Sequence, residues 1–352
     1  MHPPAPPAPR RARDIGLGVG DLPTGTHNAL TDVPGVRVGH TTLVSPPRVH
    51  SGVTAIVPAG VGPESPLPAG VFAGNGYGKL IGATQLAELG ALETPVLLTS
   101  TLSAFRVADS LVGWLLERPE GARARSLNPM VGECNDGLLS DIRSRPVRDD
   151  HVRAALETAS DGPVPEGCVG AGTGTVALGF KAGIGTSSRR VPVAGRQATL
   201  GVLVQANFGG TLRVGGRTVT PADVGLPAPA EQPEAGSCMV VAATDAPLDA
   251  RQLTRLARRS VFALARSGGA YGHGSGDYGI AFGTRPTSSP SGPALAPDDT
   301  LDPLFTAVLD AVEEAVLNAL LTAITTTGPG GRTRHPLPSE ALLALLGHTA
   351  HR

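Results

Sequence analysis

Five stretches of the chain are apolar without a polar alternation: 52–58 (GVTAIVP), 95–99 (PVLLT), 199–206 (TLGVLVQA), 238–244 (CMVVAAT) and 278–284 (YGIAFGT). Runs of this length with no polar face predict strands covered by protein on both sides. Two longer segments repeat at the helical period instead. Over 249–267, Leu253, Leu256, Ser260 and Leu264 share one face, Asp249 and Gln252 have capping-box spacing, and Gly268 stops the run. Over 302–325, Leu304, Val308, Val312, Val316 and Leu320 stay in register behind Pro303 in the first turn, with Gly328 beyond the end. Shorter helices are predicted over 78–90 and 103–117. Strands buried on both faces and helices with one apolar stripe together predict a layered α/β fold. Between its patterned halves the chain runs through 220–235 (TPADVGLPAPAEQPEA), which reads as an exposed linker.

Composition narrows the picture. The 47 glycines and 33 prolines punctuate the apolar runs and form no low-complexity block, which suits short strands and tight turns. With 29 basic and 30 acidic residues, the net charge of -1 offers a polyanion no field, so no nucleic-acid partner is expected. Cys134, Cys168 and Cys238 are odd in number and share no CxxC spacing, so neither a disulfide framework nor a zinc site is expected. The opening MHPPAPPAPRRARDIG has no apolar stretch of a secretory signal and reads as a disordered tail over 1–14, with a single domain over 15–352. No run of 18 apolar residues is present, so no membrane partner is expected, and a cytoplasmic location follows by default.

Several familiar motifs fail on register. The glycine-rich run 170–188 is no Walker loop, because Lys181 does not follow Gly179 directly and no Ser or Thr follows the lysine. Its glycines would let backbone approach either a ligand or another strand. Ser275 lacks the first glycine of a nucleophile elbow, since His273 stands there. His27, His40 and His273 are too scattered for a helical zinc motif.

What remains is the pair Gly236-Ser237, between the linker and an apolar strand. A glycine offers little obstruction to attack by the following hydroxyl on its carbonyl, and it tolerates the backbone such a step requires. Hydrolysis of the resulting ester would leave Ser237 as a new N-terminus. A free α-amine, with a pKa of about 7.7 to 8.0, can then act as base for its own hydroxyl.

In this setting the chain resembles the L-aminopeptidase/D-Ala-esterase-amidase (DmpA-like) family, which includes the β-peptidyl aminopeptidases. The likeness runs through NALTDVPGVRVGHTTL, GVTAIVPAG, AGNGYGKLIG, LETPVLLTSTLS, GAGTGTVALGFKAGIGTSSR, GVLVQANFG, the GSCMVVAATDAPL junction and GSGD, nearly the whole chain. The resemblance implies a four-layer αββα sandwich of the type shared with ornithine acetyltransferase, and a precursor cut into 15–236 and 237–352, with 220–236 as the loose end. It implies amidase action on the N-terminal residue of short peptides, amino-acid amides or esters, with no cofactor and no metal. A homotetramer of processed heterodimers is the implied assembly. Carried over by position, Ser237 is the nucleophile, Asn207 the oxyanion donor, and Ser275 the serine that orients nucleophile and amine. Asp277 stands where relatives commonly carry glutamate, one methylene longer. In the loop-like VGECNDG, Glu133 is the acceptor expected for the substrate ammonium, with Asn135 beside it at the substrate site. Acetyl transfer, the sister chemistry, would call for threonine at the cut; a fold that never cuts itself is the non-catalytic alternative.

Overall fold

A strand without a polar face needs protein on both sides, and the apolar runs accordingly become inner strands of two stacked sheets. The computed structural model describes residues 10–228, 236–285 and 294–347. In chain order the main elements are β1 (Val36–Ser45), β2 (Val49–Pro58), β3 (Leu67–Gly76), β4 (Leu80–Ile81), α1 (Ala83–Leu89), β5 (Ala91–Leu92), β6 (Val96–Ser100), α2 (Ala104–Leu116), β7 (Met130–Cys134) and α3 (Asp149–Glu157). There follow β8 (Ile184–Val193), β9 (Arg196–Asn207), β10 (Ser237–Thr244), α4 (Ala250–Arg266), β11 (Gly276–Gly283) and α5 (Asp302–Leu321). One sheet has the order β1-β2-β6-β7-β4 and the other β8-β9-β10-β11-β3-β5.

Three apolar clusters define the layers. Val53, Leu97, Leu111 and Leu156 pack α2 and α3 on the first sheet. Ile56, Leu98, Met130, Leu203, Met239 and Phe282 fill the gap between the sheets. Val202, Val240, Leu253, Leu264, Val308 and Val312 join the second sheet to α4 and α5. Strand β10 shows why its sequence carries no alternation: Cys238, Val240 and Ala242 face the helices, whereas Met239, Val241 and Ala243 face the other sheet. The result is the four-layer αββα sandwich.

The predicted caps hold. Gln252 N–H donates to Asp249 Oδ1 at 2.7 Å, and Asp249 N–H to Gln252 Oε1 at 3.1 Å. Helix α5 ends at Leu321, four residues short of expectation, because the returning chain takes its last turn: Leu337 N–H binds Leu320 O at 3.1 Å. The helix expected over 78–90 starts only at Ala83, since Leu80–Ile81 pairs with β7 at the sheet edge.

Strand β8 was not legible as a strand. Its Thr186, Ser187, Ser188 and Arg189 are all buried. They are tolerated because each is paired. Arg189 Nη2 meets Glu314 Oε2 of α5 at 2.7 Å with both side chains fully buried. The glycines of this run serve close backbone packing, against a strand as expected and against a helix as well: a Cβ on Gly174 would lie 2.2 Å from His50 O of β2, and one on Gly185 1.9 Å from Ala315 O of α5.

The same buried acid corrects the tail. Arg13 Nε meets Glu314 Oε1 at 2.9 Å, Arg11 Nε meets Glu166 Oε2 at 2.7 Å, and the fully buried Ala12 donates its N–H to Asn318 Oδ1 at 2.9 Å. The chain is therefore packed from Arg11 onward, and the disordered tail expected over 1–14 does not reach Asp14; residues 1–9 lie outside the described residues. The expected linker is likewise anchored at its start. Val224 is buried and Leu226 N–H binds Pro221 O at 2.9 Å. Its remainder, 229–235, lies outside the described residues. Among the described residues no helix is long and apolar enough to cross a membrane.

Candidate active site

The site grows from the first residue of β10. Ser237 pairs across the antiparallel ladder with Asn207, the last residue of β9, and across the parallel ladder with Gly276, the first residue of β11. Three strand ends thus meet at one edge of the sandwich. Ser237 is 4% exposed, and its Oγ has no hydrogen-bond partner among the described residues. Leaving a buried hydroxyl unpaired costs about 1–3 kcal/mol, a cost that structural roles avoid.

The carbonyl of Gly236, on the bond that joins it to Ser237, accepts the Gly276 N–H at 3.3 Å. No side chain fits at Gly236: a Cβ would stand 2.6 Å from Phe208 Cα and 2.7 Å from Asn207 O.

Asn207 is gripped at both ends of its amide. Its Oδ1 accepts Val176 N–H at 3.0 Å, and its Nδ2 donates to Asn135 O at 3.1 Å. An amide NH₂ has two hydrogens, so one remains to serve a ligand. Asn135 itself is exposed and its side chain folds back onto Gly137 N–H at 2.9 Å, so its link to the site is through its main chain.

Ser275 Oγ–H donates to Asp277 Oδ1 at 2.9 Å, and both residues are buried. Asp277 Oδ2 has no partner among the described residues. Burial lifts the Asp277 pKa from the ordinary 3.8 to about 6, against a smaller downward pull from the Ser275 hydroxyl. The shorter side chain therefore still reaches Ser275.

Glu133 requires a correction. The VGECNDG stretch reads as a loop, yet β7 pairs in parallel with β6 as far as Ser100 and Cys134, so Glu133 is in a strand and 2% exposed. Its Oε1 accepts Lys79 N–H at 2.9 Å and lies 3.8 Å from Lys79 Nζ, and its Oε2 accepts the Thr101 hydroxyl. Segment 75–79 links the Glu133 carboxylate to the strand that carries Asp277: Tyr77 N–H binds Ser275 O at 3.1 Å, and Tyr278 OH binds Gly78 O at 3.2 Å.

One residue of the site escaped sequence reasoning. Cys134 crosses the gap between the sheets, its thiol 3.2 Å from Ser237 O and 3.6 Å from Gln205 O. Burial pushes that thiol well above its ordinary pKa, so it acts as a neutral donor. No motif marks it, because the contact exists only once the sheets stack. A cavity of about 720 Å³ lined by Thr42, Arg48, Asp150 and His151 contains none of these residues, so cavity size does not locate the site. Among the described residues no group of three or more His, Cys, Asp or Glu side chains gathers to hold a metal.

Known proteins share both sequence and fold. The sequence profile of peptidase family S58 matches residues 28–334. The β-peptidyl aminopeptidase BapA of Sphingosinicella microcystinivorans is 39% identical over 366 residues, covering 96% of this chain and 91% of the relative. A β-aminopeptidase structure from Burkholderia sp. superposes with a TM-score of 0.88 at 39% identity, over 97% of this chain and all of the other. The L-aminopeptidase D-Ala-esterase/amidase of Ochrobactrum anthropi, described as a prototype serine aminopeptidase and a variant of the Ntn hydrolase fold, superposes with a TM-score of 0.83 at 37% identity, over 96% and 98% of the two chains. With a profile match across most of its length and relatives this similar, the chain belongs to peptidase family S58 and is an aminopeptidase.

Proposed function

We propose that this aminopeptidase makes its own nucleophile by cutting the Gly236-Ser237 bond, and that it then releases N-terminal residues from short peptides, amides or esters. The observation that carries the reading is the buried Ser237 Oγ, without a partner among the described residues and set between Asn207 and Gly276. In the precursor, Oγ attacks the Gly236 carbonyl carbon while the Gly276 N–H stabilises the carbonyl oxygen. The C–N bond breaks, the acyl group moves to Oγ, and water hydrolyses the ester. A Gly236 carboxylate and a free Ser237 amine remain. The two products, 1–236 and 237–352, stay together because β9 and β3 of the first pair with β10 and β11 of the second.

In turnover the α-amine accepts the Ser237 hydroxyl proton, and Oγ attacks the carbonyl of the substrate's first residue. The remaining Asn207 N–H receives the developing oxyanion. The proton passes to the leaving amine, and water releases the acyl group. The Ser275–Asp277 pair orients the new amine and hydroxyl, and Glu133 receives the substrate ammonium. The β-peptidyl specificity named for the Sphingosinicella relative and the L-aminopeptidase and D-Ala-esterase/amidase activities named for the Ochrobactrum one mark the substrate range to be screened. The assembly proposed is a homotetramer of processed heterodimers.

The test is Ser237→Ala. It should accumulate as one uncut chain with no activity on amino-acid amides; a cut or active Ser237→Ala protein would remove the mechanism.

A further inference from the structure

Lys181 is fully buried, and the reaction above makes no use of it. Its ammonium donates to three main-chain carbonyls: Thr175 O at 3.0 Å, Gly172 O at 3.4 Å, and Ala182 O. Three main-chain carbonyls take its hydrogens and the Cys168 side chain also approaches it, so the ammonium is held without a carboxylate in direct contact. These carbonyls flank the open end of a small hairpin, whose two-residue ladder pairs Val176–Ala177 with Phe180–Lys181.

One peptide group at that open end matters most. The carbonyl of Thr175 and the N–H of Val176 are the two ends of a single planar peptide unit. Lys181 holds its oxygen, and its N–H donates to Asn207 Oδ1 at 3.0 Å. A continuous relay results: ammonium, peptide carbonyl, peptide N–H, side-chain carbonyl of Asn207, and finally the Asn207 NH₂ beside Ser237. A cation at the head of such a chain withdraws electron density along it, and each hydrogen bond strengthens the next as a donor in a low-dielectric interior.

We propose that Lys181 is a positioning residue for the oxyanion donor, holding and polarising the Thr175–Val176 peptide so that the Asn207 amide is fixed with its NH₂ toward the reacting carbonyl. The proposal rests on the reading of Asn207 as that donor. Burial pulls the Lys181 pKa down, Cys168 and the field of the buried Asp136 pull it back up, and Asp136 lies beside Asn135, whose carbonyl holds the other end of the same amide. The buried cation thus stands behind a site whose front is made by Asn207 and Ser237.

A double-mutant cycle separates positioning from simple filling of the hairpin end. Wild type, Lys181→Met, Asn207→Ala and the double variant are compared on an amino-acid p-nitroanilide, with rates normalised to the amount of cut chain measured by mass. Lys181→Met should lower kcat by about 10- to 100-fold, as expected when an oxyanion donor is displaced but present, with KM changed by less than about threefold. In the Asn207→Ala background the same substitution should cost less than about twofold, because its effect runs through Asn207. Lys181→Arg, which keeps charge and donors, should recover part of the loss. A Lys181→Met loss that persists in full without Asn207, or no loss of kcat at all, would overturn the proposal. An Asn207→Ala protein with wild-type kcat would instead refute the oxyanion reading itself, and this proposal with it. If Lys181→Met yields no folded protein, Lys181→Gln, which keeps two N–H donors without the charge, enters the cycle under the same criteria.

Discussion

Replacing Gly236 with alanine puts a methyl group where the precursor has no room for one. The new Cβ would stand 2.6 Å from Phe208 Cα, 2.7 Å from Asn207 O and 3.0 Å from Gly209 N. All three are main-chain atoms, so relief cannot come from a side-chain rotation. Either the end of β9 or the chain entering β10 must move, and those are the segments that carry Asn207 and Ser237. Overpacking of this kind costs about 1–3 kcal/mol. Where that cost falls on the geometry that brings the Ser237 hydroxyl to the Gly236 carbonyl, a tenfold rate change for about every 1.36 kcal/mol makes self-cleavage roughly 5- to 160-fold slower. A pulse of labelled precursor from cell-free translation, chased over time, reports the rate as loss of full-length chain. The thermal midpoint of the same variant separates slow cleavage from failed folding. A Gly236→Ala precursor that cuts at the wild-type rate would refute the assignment of this junction and the tight geometry argued for it.

Three further predictions concern Asp277 and Glu133. Because burial raises Asp277 to about 6, its carboxylate is present above that pH and protonated below it. The acid limb of kcat/KM should therefore steepen below about pH 6 beyond the single slope due to the α-amine, and Asp277→Asn should leave the single slope. The sign for stability is opposite: a carboxyl held above its ordinary pKa contributes fully below the ordinary carboxylate range, and the contribution is lost as pH rises through about 6, so Asp277→Asn should flatten the denaturation midpoint across that window. Glu133→Gln should raise KM for substrates with a free N-terminal amine by roughly 10- to 100-fold, the equivalent of a charged hydrogen bond of about 1.5–3 kcal/mol, with a smaller change in kcat. Equal loss on substrates whose amine is acylated would count against an ammonium site at Glu133.

How much of this was legible in the sequence depends on whether a residue's role is local. The inner strands β2, β6, β9, β10 and β11 show as apolar runs because both of their faces are covered, and α4 shows because its cap and stripe lie within one segment. Strand β8 did not show, since Thr186 to Arg189 look like surface residues until Glu314, 125 positions beyond Arg189, arrives from α5. Strand β3 hides behind its glycines, which are there because α4 lies against it: a Cβ on Gly70 would be 2.3 Å from Thr254 N. The Gly236-Ser237 junction stood out from its place between linker and strand, and the family resemblance pointed to Asn207, Ser275 and Asp277 at positions that the fold then gathers around the strand ends. Glu133 reads as a loop residue because a short inner strand that contains Gly132 and is followed by Asn135 carries a loop's composition. Cys134 and Lys181 left no signal at all, because each acts on main-chain atoms that only the folded chain brings near.

Intact-mass spectrometry of the purified full-length protein, with N-terminal sequencing of every species, bears most directly on self-processing at Ser237. Two fragments should appear, the smaller beginning Ser237-Cys238-Met239 and the larger ending at Gly236, with aminopeptidase activity tracking the cut fraction. An active preparation containing only the uncut chain, or a fragment that begins at any other residue, would contradict the account.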